Sequence, residues 1–323
     1  MRVPRRLRSL AFAFALAAHA TAQADSYPAR PIRFLVPSPP GGSPDILARI
    51  VAARLAQRLN QQVIVDNRAG ASGVIGVEIA RNAAPDGHTL LLATATSFAS
   101  LPALSKKLPY DTERDFIAVS RIAWVANVLT VNANLGAGSV AELVRLARAR
   151  PGKLNYGSAG NGSPAHLAGA MLNVLADIDM LHVPYKGAAP AMTDMIAGQI
   201  QVLITSPLVA MPHGRAGRIR VLATTGARRD PLLPELPPVA ETVPGYEIVQ
   251  WWGIALPART PPALVARLHR EIVAVLSAPE VVEAMSRSGA TAHPESPEEF
   301  RAFIRAERER IAQVGRRAGI TLD

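Results

Sequence analysis

Cysteine is absent from the 323 residues of the chain. Its absence excludes disulfide bonds, thiolate metal ligands, a cysteine nucleophile and a lipid anchor on an N-terminal cysteine. Aromatic residues are also scarce, at 5% of the chain, which argues against a stacking surface for single-stranded nucleic acid. No apolar run approaches the roughly 20 residues that a membrane-spanning helix requires. The sequence therefore predicts a globular protein without a covalent lipid or a membrane span.

Several catalytic signatures are missing as well. No serine has glycine at both the second preceding and the second following position, so the G-x-S-x-G elbow of α/β hydrolases is absent. The phosphate-binding P-loop, the G-x-G-x-x-G dinucleotide motif and the H-E-x-x-H zinc motif are absent too. We therefore expect a protein that is not an enzyme and that carries neither a cofactor nor a metal ion.

Residues 1–24 have the order of a secretory signal peptide. Four arginines lie in the first eight residues, an apolar stretch runs from about Leu10 to Ala18, and Ala22-Gln23-Ala24 supplies small residues at a cleavage site. We expect cleavage after Ala24 and export to the periplasm by the general or the twin-arginine route, as a soluble protein that is not a lipoprotein. A fully secreted enzyme is the alternative.

Removing this segment changes the charge of the chain. The formal net charge of +10 falls to +6, because 31 basic and 25 acidic residues remain after the four arginines are removed. The remaining charges are spread along the chain and form no basic stripe, so we expect no nucleic-acid partner.

Short apolar runs alternate with amphipathic stretches after residue 24, which is typical of βαβ units in an α/β protein. The first run, Ile32–Val36, lies between prolines and is followed by a glycine-containing loop and a helix. No low-complexity linker divides the chain, so we expect two closely packed domains with more than one chain crossing. The predicted division is residues 25–123 plus 250–323 for domain 1 and residues 124–249 for domain 2, each with a mostly parallel sheet flanked by helices.

One helix start occurs twice, 120 residues apart. The segments Gly42–Ala48 and Gly162–Ala168 both read G-S-P-x-x-L-A and both follow an apolar run and a glycine-containing loop. The pattern predicts a serine N-cap, a proline in the first turn and exposed backbone N–H groups at the positive end of a helix dipole. Two such helix starts facing one cleft would hold a carboxylate from both sides. A purely structural role stays open, because Ser296-Pro297 starts a further predicted helix, with Glu299 completing a capping box.

Five further residues have more than one interpretation each. Asp45 lies in the first helical turn, where a carboxylate stabilises the dipole whether or not it binds a ligand. His166 and His182 lie near the glycine-rich loops, where a structural role is favoured over a role as a ligand or a base. Trp251 and Trp252 are expected in a strand, where packing in the core or at a hinge is favoured over a role as a ligand clamp.

Blocks of residues along nearly the whole chain resemble one known family, the Bug-type substrate-binding proteins of tripartite tricarboxylate transporters. The blocks are Tyr27-Pro28 with Arg30-Pro31-Ile32, Pro40-Gly41-Gly42, Asp66-Asn67-Arg68, Pro85-Asp86-Gly87, Tyr156-Gly157-Ser158-Ala159-Gly160, His182-Val183-Pro184-Tyr185-Lys186-Gly187, Leu233-Pro234-Glu235-Leu236-Pro237 and Pro244-Gly245-Tyr246-Glu247. The resemblance implies a two-domain periplasmic-binding-protein fold that closes like a flytrap over a small organic carboxylate.

The resemblance also implies which residues bind the ligand. They lie in a loop after the first strand, a loop after the strand near Tyr156, and a segment near the cleft. The residues are Pro40, Gly41, Gly42, Ser43, Asp45, Ser158, Ala159, Gly160, Asn161, Gly162, Ser163, His166, Tyr185, Lys186 and Gly187.

The function that follows is that of a periplasmic solute receptor. Its expected partners are a small organic acid and the membrane subunits of a tripartite tricarboxylate-type transporter, and the expected oligomeric state is a monomer. Two alternatives remain open at this point: a carboxylate-sensing subunit that reports to a sensor protein, and an exported α/β hydrolase.

Overall fold

The computed structural model describes residues 27–322. The predicted signal peptide and its cleavage site lie outside the described residues. Within residues 27–322, no helix is both long enough and apolar enough to cross a bilayer.

Two β-sheets organise the described part of the chain. Their strands are β1 Ile32–Val36, β2 Val63–Asn67, β3 Thr89–Thr94, β4 Phe116–Ala126, β5 Val128–Asn132, β6 Leu154–Ser158, β7 Met180–Pro184, β8 Val202–Thr205, β9 Ile219–Thr224, β10 Val249–Pro257 and β11 Thr291–Ala292. The first sheet has the order β11-β4-β10-β3-β1-β2, and the second has the order β7-β6-β8-β5-β9. We call the first sheet with its helices lobe 1 and the second sheet with its helices lobe 2.

Helices cover both sheets. They are α1 Ser43–Leu59, α2 Val74–Arg81, α3 Leu101–Leu104, α4 Val140–Ala149, α5 Pro164–Ala176, α6 Ala188–Ile196, α7 Pro207–Arg215, α8 Pro262–Leu276, α9 Pro279–Arg287 and α10 Pro297–Ala318. Helix α10 begins at the predicted capping box: the hydroxyl of Ser296 accepts the N–H of Glu299, and the Glu299 carboxylate accepts the N–H of Ser296. The predicted α/β class with two sheets flanked by helices is confirmed.

The expectation that each sheet is mostly parallel holds for strand direction, since β1 to β4 share one direction in the first sheet and β6 to β9 share one direction in the second. Strands β1, β2 and β3 pair in parallel, as do β6, β7 and β8, but β10 pairs antiparallel with both β3 and β4, and β5 pairs antiparallel with both β8 and β9. Both sheets are therefore mixed. The reason is that β5 and β10 each follow a crossing from the other lobe, so each enters its sheet from the opposite end and is inserted between strands of the other direction.

The two crossings run side by side. Only Asn127 separates β4 of lobe 1 from β5 of lobe 2, and its carbonyl oxygen accepts the N–H of Thr225 at 2.8 Å, just after β9. Thr225 in turn accepts the N–H of Ile248, just before β10, at 3.0 Å. The limits predicted for the two domains stay a prediction, but the strands of lobe 2 all lie between Val128 and Thr224.

Hydrophobic packing is continuous between the lobes. One buried cluster includes Leu35 and Phe98 of lobe 1 together with Leu129 and Val202 of lobe 2. A second buried cluster lies between the first sheet and helices α1, α8 and α9. Trp251 and Trp252 of β10 are fully buried, as the sequence predicted, and they point to opposite faces of the sheet because adjacent residues alternate in a strand.

Gly253 of β10 lies directly under helix α10. A Cβ atom at this position would overlap the ring of Phe300 and would come within 2.9 Å of the carbonyl oxygen of Ser120. We expect Gly253→Ala to lower the free energy of unfolding by about 1–3 kcal/mol through overpacking. Urea unfolding of the purified protein measures this change.

The control for this prediction is the double variant Gly253→Ala with Phe300→Leu. The smaller side chain relieves the overlap with the ring but not the approach to Ser120, so part of the lost stability should return. An unchanged unfolding midpoint in Gly253→Ala would contradict the packing described for helix α10.

Candidate functional site

The carboxyl ends of the parallel strands in the two sheets face each other. Strand β4 ends at Ala126, where the chain crosses to lobe 2, and β9 ends at Thr224, where the chain returns. Strands β1 to β3 run in the direction of β4, and β6 to β8 run in the direction of β9. The loops that follow all of these strands therefore meet between the lobes, which is where open α/β sheets bind their ligands.

The loop after β1 is closed by a buried carboxylate. Asp45 accepts the N–H of Gly41 at 2.9 Å and forms an ion pair with Arg49 at 3.0 Å. Burial by itself would raise the pKa of Asp45, but the hydrogen bonds from Arg49 and from the N–H of Gly41 outweigh it and lower the pKa. Gly41 adopts φ +83°, a left-handed conformation that suits glycine. Asp45 thus remains ionised and holds the loop in shape.

The expected N-cap role of Ser43 is wrong. The N-cap of α1 is Gly42, which has no side chain, and Ser43 is already the first helical residue. The carboxylate of Asp45 closes the turn instead. The hydroxyl of Ser43 is therefore available, and it lies 3.0 Å from the hydroxyl of Ser206 in lobe 2.

The loop after β6 has the geometry that the repeated helix start predicts. Ser163 is the N-cap of α5, and its hydroxyl accepts the N–H of His166 at 3.2 Å. Gly160 and Gly162 adopt φ +129° and +72°, conformations that side chains disfavour. The N–H of Ser163 donates to the carbonyl oxygen of Gly160 at 3.2 Å. Only the second of the two G-S-P segments therefore has a serine cap.

Two stacked histidines form hydrogen bonds with the loop after β6. The rings of His166 and His182 lie 4.0 Å apart at an angle of 16°. The Nδ1 atom of His166 accepts the N–H of Gly162 at 3.1 Å, and the Nε2 atom of His182 lies 2.7 Å from the hydroxyl of Ser158. Burial lowers the pKa of His166 to about 4, and burial together with the neighbouring His166 lowers the pKa of His182 to about 4. Both imidazoles are thus neutral near pH 7, and both make structural hydrogen bonds.

The segment Tyr185–Gly187 lies beside this loop. The N–H of Tyr185 donates to the carbonyl oxygen of Ser158 at 3.1 Å. The phenol of Tyr185 donates to Asp194 at 2.8 Å, and burial together with this carboxylate raises the pKa of Tyr185 to about 12. Lys186 is exposed, and no salt bridge to it occurs among residues 27–322. The phenol of Tyr185 is therefore already hydrogen-bonded within lobe 2, whereas the ammonium group of Lys186 is available to an anion.

The structure brings all three sequence-predicted segments to the region between the lobes. Residues 40–45 lie on the lobe 1 side, and residues 158–166 and 185–187 lie on the lobe 2 side. Nothing in the structure itself tests whether these residues contact a ligand, so that assignment stays a prediction.

Sequence reasoning missed two residues that connect the lobes. Ser206 follows β8 and precedes Pro207 of α7, so it is a further strand-Ser-Pro-helix start, and its lack of an adjacent glycine hid it. Ser72 belongs to the serines that lack the G-x-S-x-G pattern, and its sequence gives no other sign of a role, but its hydroxyl donates to the carbonyl oxygen of Asn161 at 3.4 Å, across the lobes. The signal for Ser206 was present in the sequence, whereas the contact of Ser72 depends on tertiary structure.

The helix starts at this edge favour negative charge. Helices α1, α5 and α7 all begin at this edge, and the first N–H groups of a helix have no partner within the helix. These N–H groups and the positive ends of the dipoles attract negative charge. Among residues 27–322, no group of three or more His, Asp or Glu side chains could hold a metal ion. The groups available to a ligand at this edge include main-chain N–H groups, hydroxyls and the ammonium group of Lys186.

Comparisons with known proteins agree with one another. Residues 47–320 match the model of the tripartite tricarboxylate transporter family receptor. The chain is 36% identical over 305 residues to BugT of Bordetella pertussis, covering 94% of each chain.

Two solved structures are similar over most of the chain. Rpa4515 of R. palustris, solved with adipate, has a TM-score of 0.88 and 35% identity, with 91% of this chain and 99% of that chain covered. MatC from Rhodopseudomonas palustris, solved with bound malate, has a TM-score of 0.82 and 28% identity, with 89% of this chain and 99% of that chain covered.

The stacked histidines predict a pH dependence of stability. The unfolded chain takes up protons near pH 6.5 at each histidine, but the folded chain takes them up only near pH 4 at His166 and His182. The two histidines therefore make their full contribution to the free energy of unfolding above pH 6.5, and this contribution is lost as the pH falls from 6.5 to 4. We expect the unfolding free energy, measured by urea at each pH, to fall across this window.

The variant His182→Gln isolates this effect. Glutamine can still form a hydrogen bond with Ser158 but does not titrate, so the variant should lose less stability than the native protein between pH 6.5 and 4. Identical pH profiles for the two proteins would show that the imidazole of His182 is charged in the folded state or does not titrate differently on unfolding.

Proposed function

Because the chain belongs to the tripartite tricarboxylate transporter receptor family, we propose that it is a periplasmic receptor that binds a small organic carboxylate between its lobes and delivers it to the membrane subunits of such a transporter. The observation that carries this proposal is the facing pair of loops at residues 40–45 and 158–166. Both loops lie at carboxyl strand ends, both precede a helix start, and they belong to different lobes. An anion bound there contacts both lobes at once, so its binding favours their closure.

The ligand would be held without a dedicated cationic pocket. Asp45 is itself an anion, but its two oxygens are occupied by Gly41 and Arg49, so they present little free charge to the cleft. Main-chain N–H groups near Gly42 and Asn161 are the donors that we assign to one carboxylate of the ligand. Binding by backbone donors fits the two different acids, adipate and malate, with which two similar proteins were solved.

The relatives suggest a class of acid. One was solved with adipate and another with malate, and both molecules carry two carboxylates. Two helix-start loops supply donors for one carboxylate, and Lys186 is an exposed cation beside the loop of Ser158. We therefore propose a dicarboxylate ligand whose second carboxylate lies near Lys186.

The contacts of Ser158 argue against the hydrolase alternative. Ser158 and His182 form a hydrogen bond of 2.7 Å, which resembles a nucleophile and its base. However, a base with a pKa of about 4 accepts a proton poorly at neutral pH, and catalysis favours a base whose pKa lies near the working pH. Ser158 is also fully buried, and its hydroxyl is already bonded to both the N–H and the carbonyl oxygen of Gly160. These contacts support a structural role for this pair.

A thermal-shift titration tests the proposal. The protein is unfolded and refolded to remove any co-purified ligand and is then titrated with adipate, malate and the neutral control adipamide. At 100 times its dissociation constant, a ligand adds about 2.7 kcal/mol of stability, so a bound dicarboxylate raises the melting temperature clearly. We expect a shift with at least one dicarboxylate and none with adipamide.

Separate results test the anion site, the dicarboxylate class and the delivery of the acid to a transporter. Equal shifts with adipate and adipamide would contradict an anion site. The absence of a shift with either acid would contradict the dicarboxylate class, and a wider panel of mono- and tricarboxylates would then test the receptor role itself. Loss of acid uptake in a strain lacking the protein would separate delivery to a transporter from a purely sensory role.

Substitution of Lys186 tests the place of the second carboxylate. An exposed ion pair contributes about 0.2–1 kcal/mol, so Lys186→Gln should weaken binding of adipate by up to about fivefold. Binding of hexanoate, which lacks the second carboxylate, should not change. Calorimetry measures both affinities, and an equal loss for the two acids would place Lys186 away from the second carboxylate.

A further inference from the structure

We propose that the hydroxyls of Ser43 and Ser206 form a latch between the lobes, and that this latch sets the affinity of the receptor by stabilising its closed state. This inference rests on the proposed receptor function. The two hydroxyls lie 3.0 Å apart, yet one belongs to helix α1 of lobe 1 and the other to the start of helix α7 of lobe 2. A hydrogen bond of this length requires the lobes to be in contact, and opening of the cleft breaks it.

Neither serine is committed to a contact within its own lobe. Ser206 occupies the N-cap of α7, but its side chain makes no capping hydrogen bond, although serine usually does so at this position. Ser43 is the first residue of α1, and among residues 27–322 its hydroxyl makes a hydrogen bond only with Ser206. Both residues are buried, with 9% exposure for Ser43 and 6% for Ser206. Each hydroxyl therefore depends on the other for its hydrogen bond in the closed structure.

The start of helix α7 makes a second contact with lobe 1 next to the latch. Gly289, just after α9, adopts φ +70°, and a Cβ atom there would come within 3.1 Å of the Cβ atom of Pro207. Pro207 is the neighbour of Ser206, so the close approach at Gly289 places the end of β8 against lobe 1. A side chain at position 289 would press on Pro207 and require a shift of a few tenths of an ångström there.

The effect of the latch on affinity follows from the population of the closed state. When a ligand binds only the closed form, its apparent dissociation constant is the intrinsic constant divided by the fraction of closed protein. A neutral hydrogen bond changes an equilibrium by about two- to tenfold. We therefore expect Ser206→Ala to weaken the binding of every ligand by the same factor, about two- to tenfold, because Ser206 acts through closure.

Two features separate a latch from a direct ligand contact. A latch changes the affinity for adipate and for malate by the same factor, whereas a contact affects the ligand that it touches. In addition, Ser206→Ala has no further effect in a Ser43→Ala background when the two hydroxyls act through each other. The three variants and the native protein are compared by calorimetry with both acids.

The control variant is Ser139→Ala. The hydroxyl of Ser139 accepts the N–H of Glu142 at 3.2 Å at the start of helix α4, entirely within lobe 2. This variant loses one serine hydrogen bond and some unfolding stability but should bind both acids with native affinity. It separates closure from a general loss of stability.

A measurement without ligand keeps the proposal testable if neither acid binds. The chain has no cysteine, so Ala53→Cys in lobe 1 and Ala149→Cys in lobe 2 accept spin labels at two exposed sites. Distances between the labels report the closed fraction of the unliganded protein, and Ser206→Ala should reduce this fraction while Ser139→Ala should not.

The outcomes distinguish the latch from the receptor function. Native binding of acids together with unchanged affinity and unchanged label distances in Ser206→Ala would overturn the latch and leave the receptor intact. Additive effects of Ser43→Ala and Ser206→Ala would also overturn it. A reduced closed fraction in Ser206→Ala supports the latch even when no acid in the panel binds.

Discussion

The insertion of one antiparallel strand into each sheet is the constraint on which the rest of the structure depends. Strand β10 lies between β3 and β4, and β5 lies between β8 and β9, and each enters its sheet after a crossing from the other lobe. This arrangement requires β1 to β4 and β6 to β9, which run against the inserted strands, to end at the edge where the crossings lie. The loops after β1, β6 and β8 consequently face one another, and the anion-attracting helix starts are collected in one place by the topology alone.

Local patterns in the sequence were sufficient for some features of this structure and not for others. The apolar run Ile32–Val36 and the capping box at Ser296 are local features, and both occur as predicted. The N-cap prediction for Ser43 was wrong because Asp45, two residues away, competes for the same turn. The position of β10 could not be predicted, since the order of strands depends on pairing over more than 100 residues and leaves no local pattern.

The candidate site also combines features that a local sequence pattern predicts with features that depend on tertiary structure. The glycine-containing loops at residues 40–45 and 158–163 were recognisable because glycine and a Ser-Pro pair mark a helix start in the sequence itself. The supporting histidines were recognisable only as residues near a loop, and their stacking and depressed pKa values arise from burial that no short segment determines. The contact of Ser206 could not be predicted either, since its partner Ser43 is 163 residues away in the chain.

The same inserted strand fixes the order in which the chain can assemble. The chain is synthesised from its N-terminus, and β3 and β4 precede their common partner β10 by more than 100 residues. Each therefore has an unpaired edge until β10 has been made. All the strands of lobe 2 are available before β10 appears, so the second sheet can form first. Pairing over such a separation slows folding and leaves strand edges open to aggregation. The edges of β3 and β4 in lobe 1 therefore stay unpaired until β10 is available.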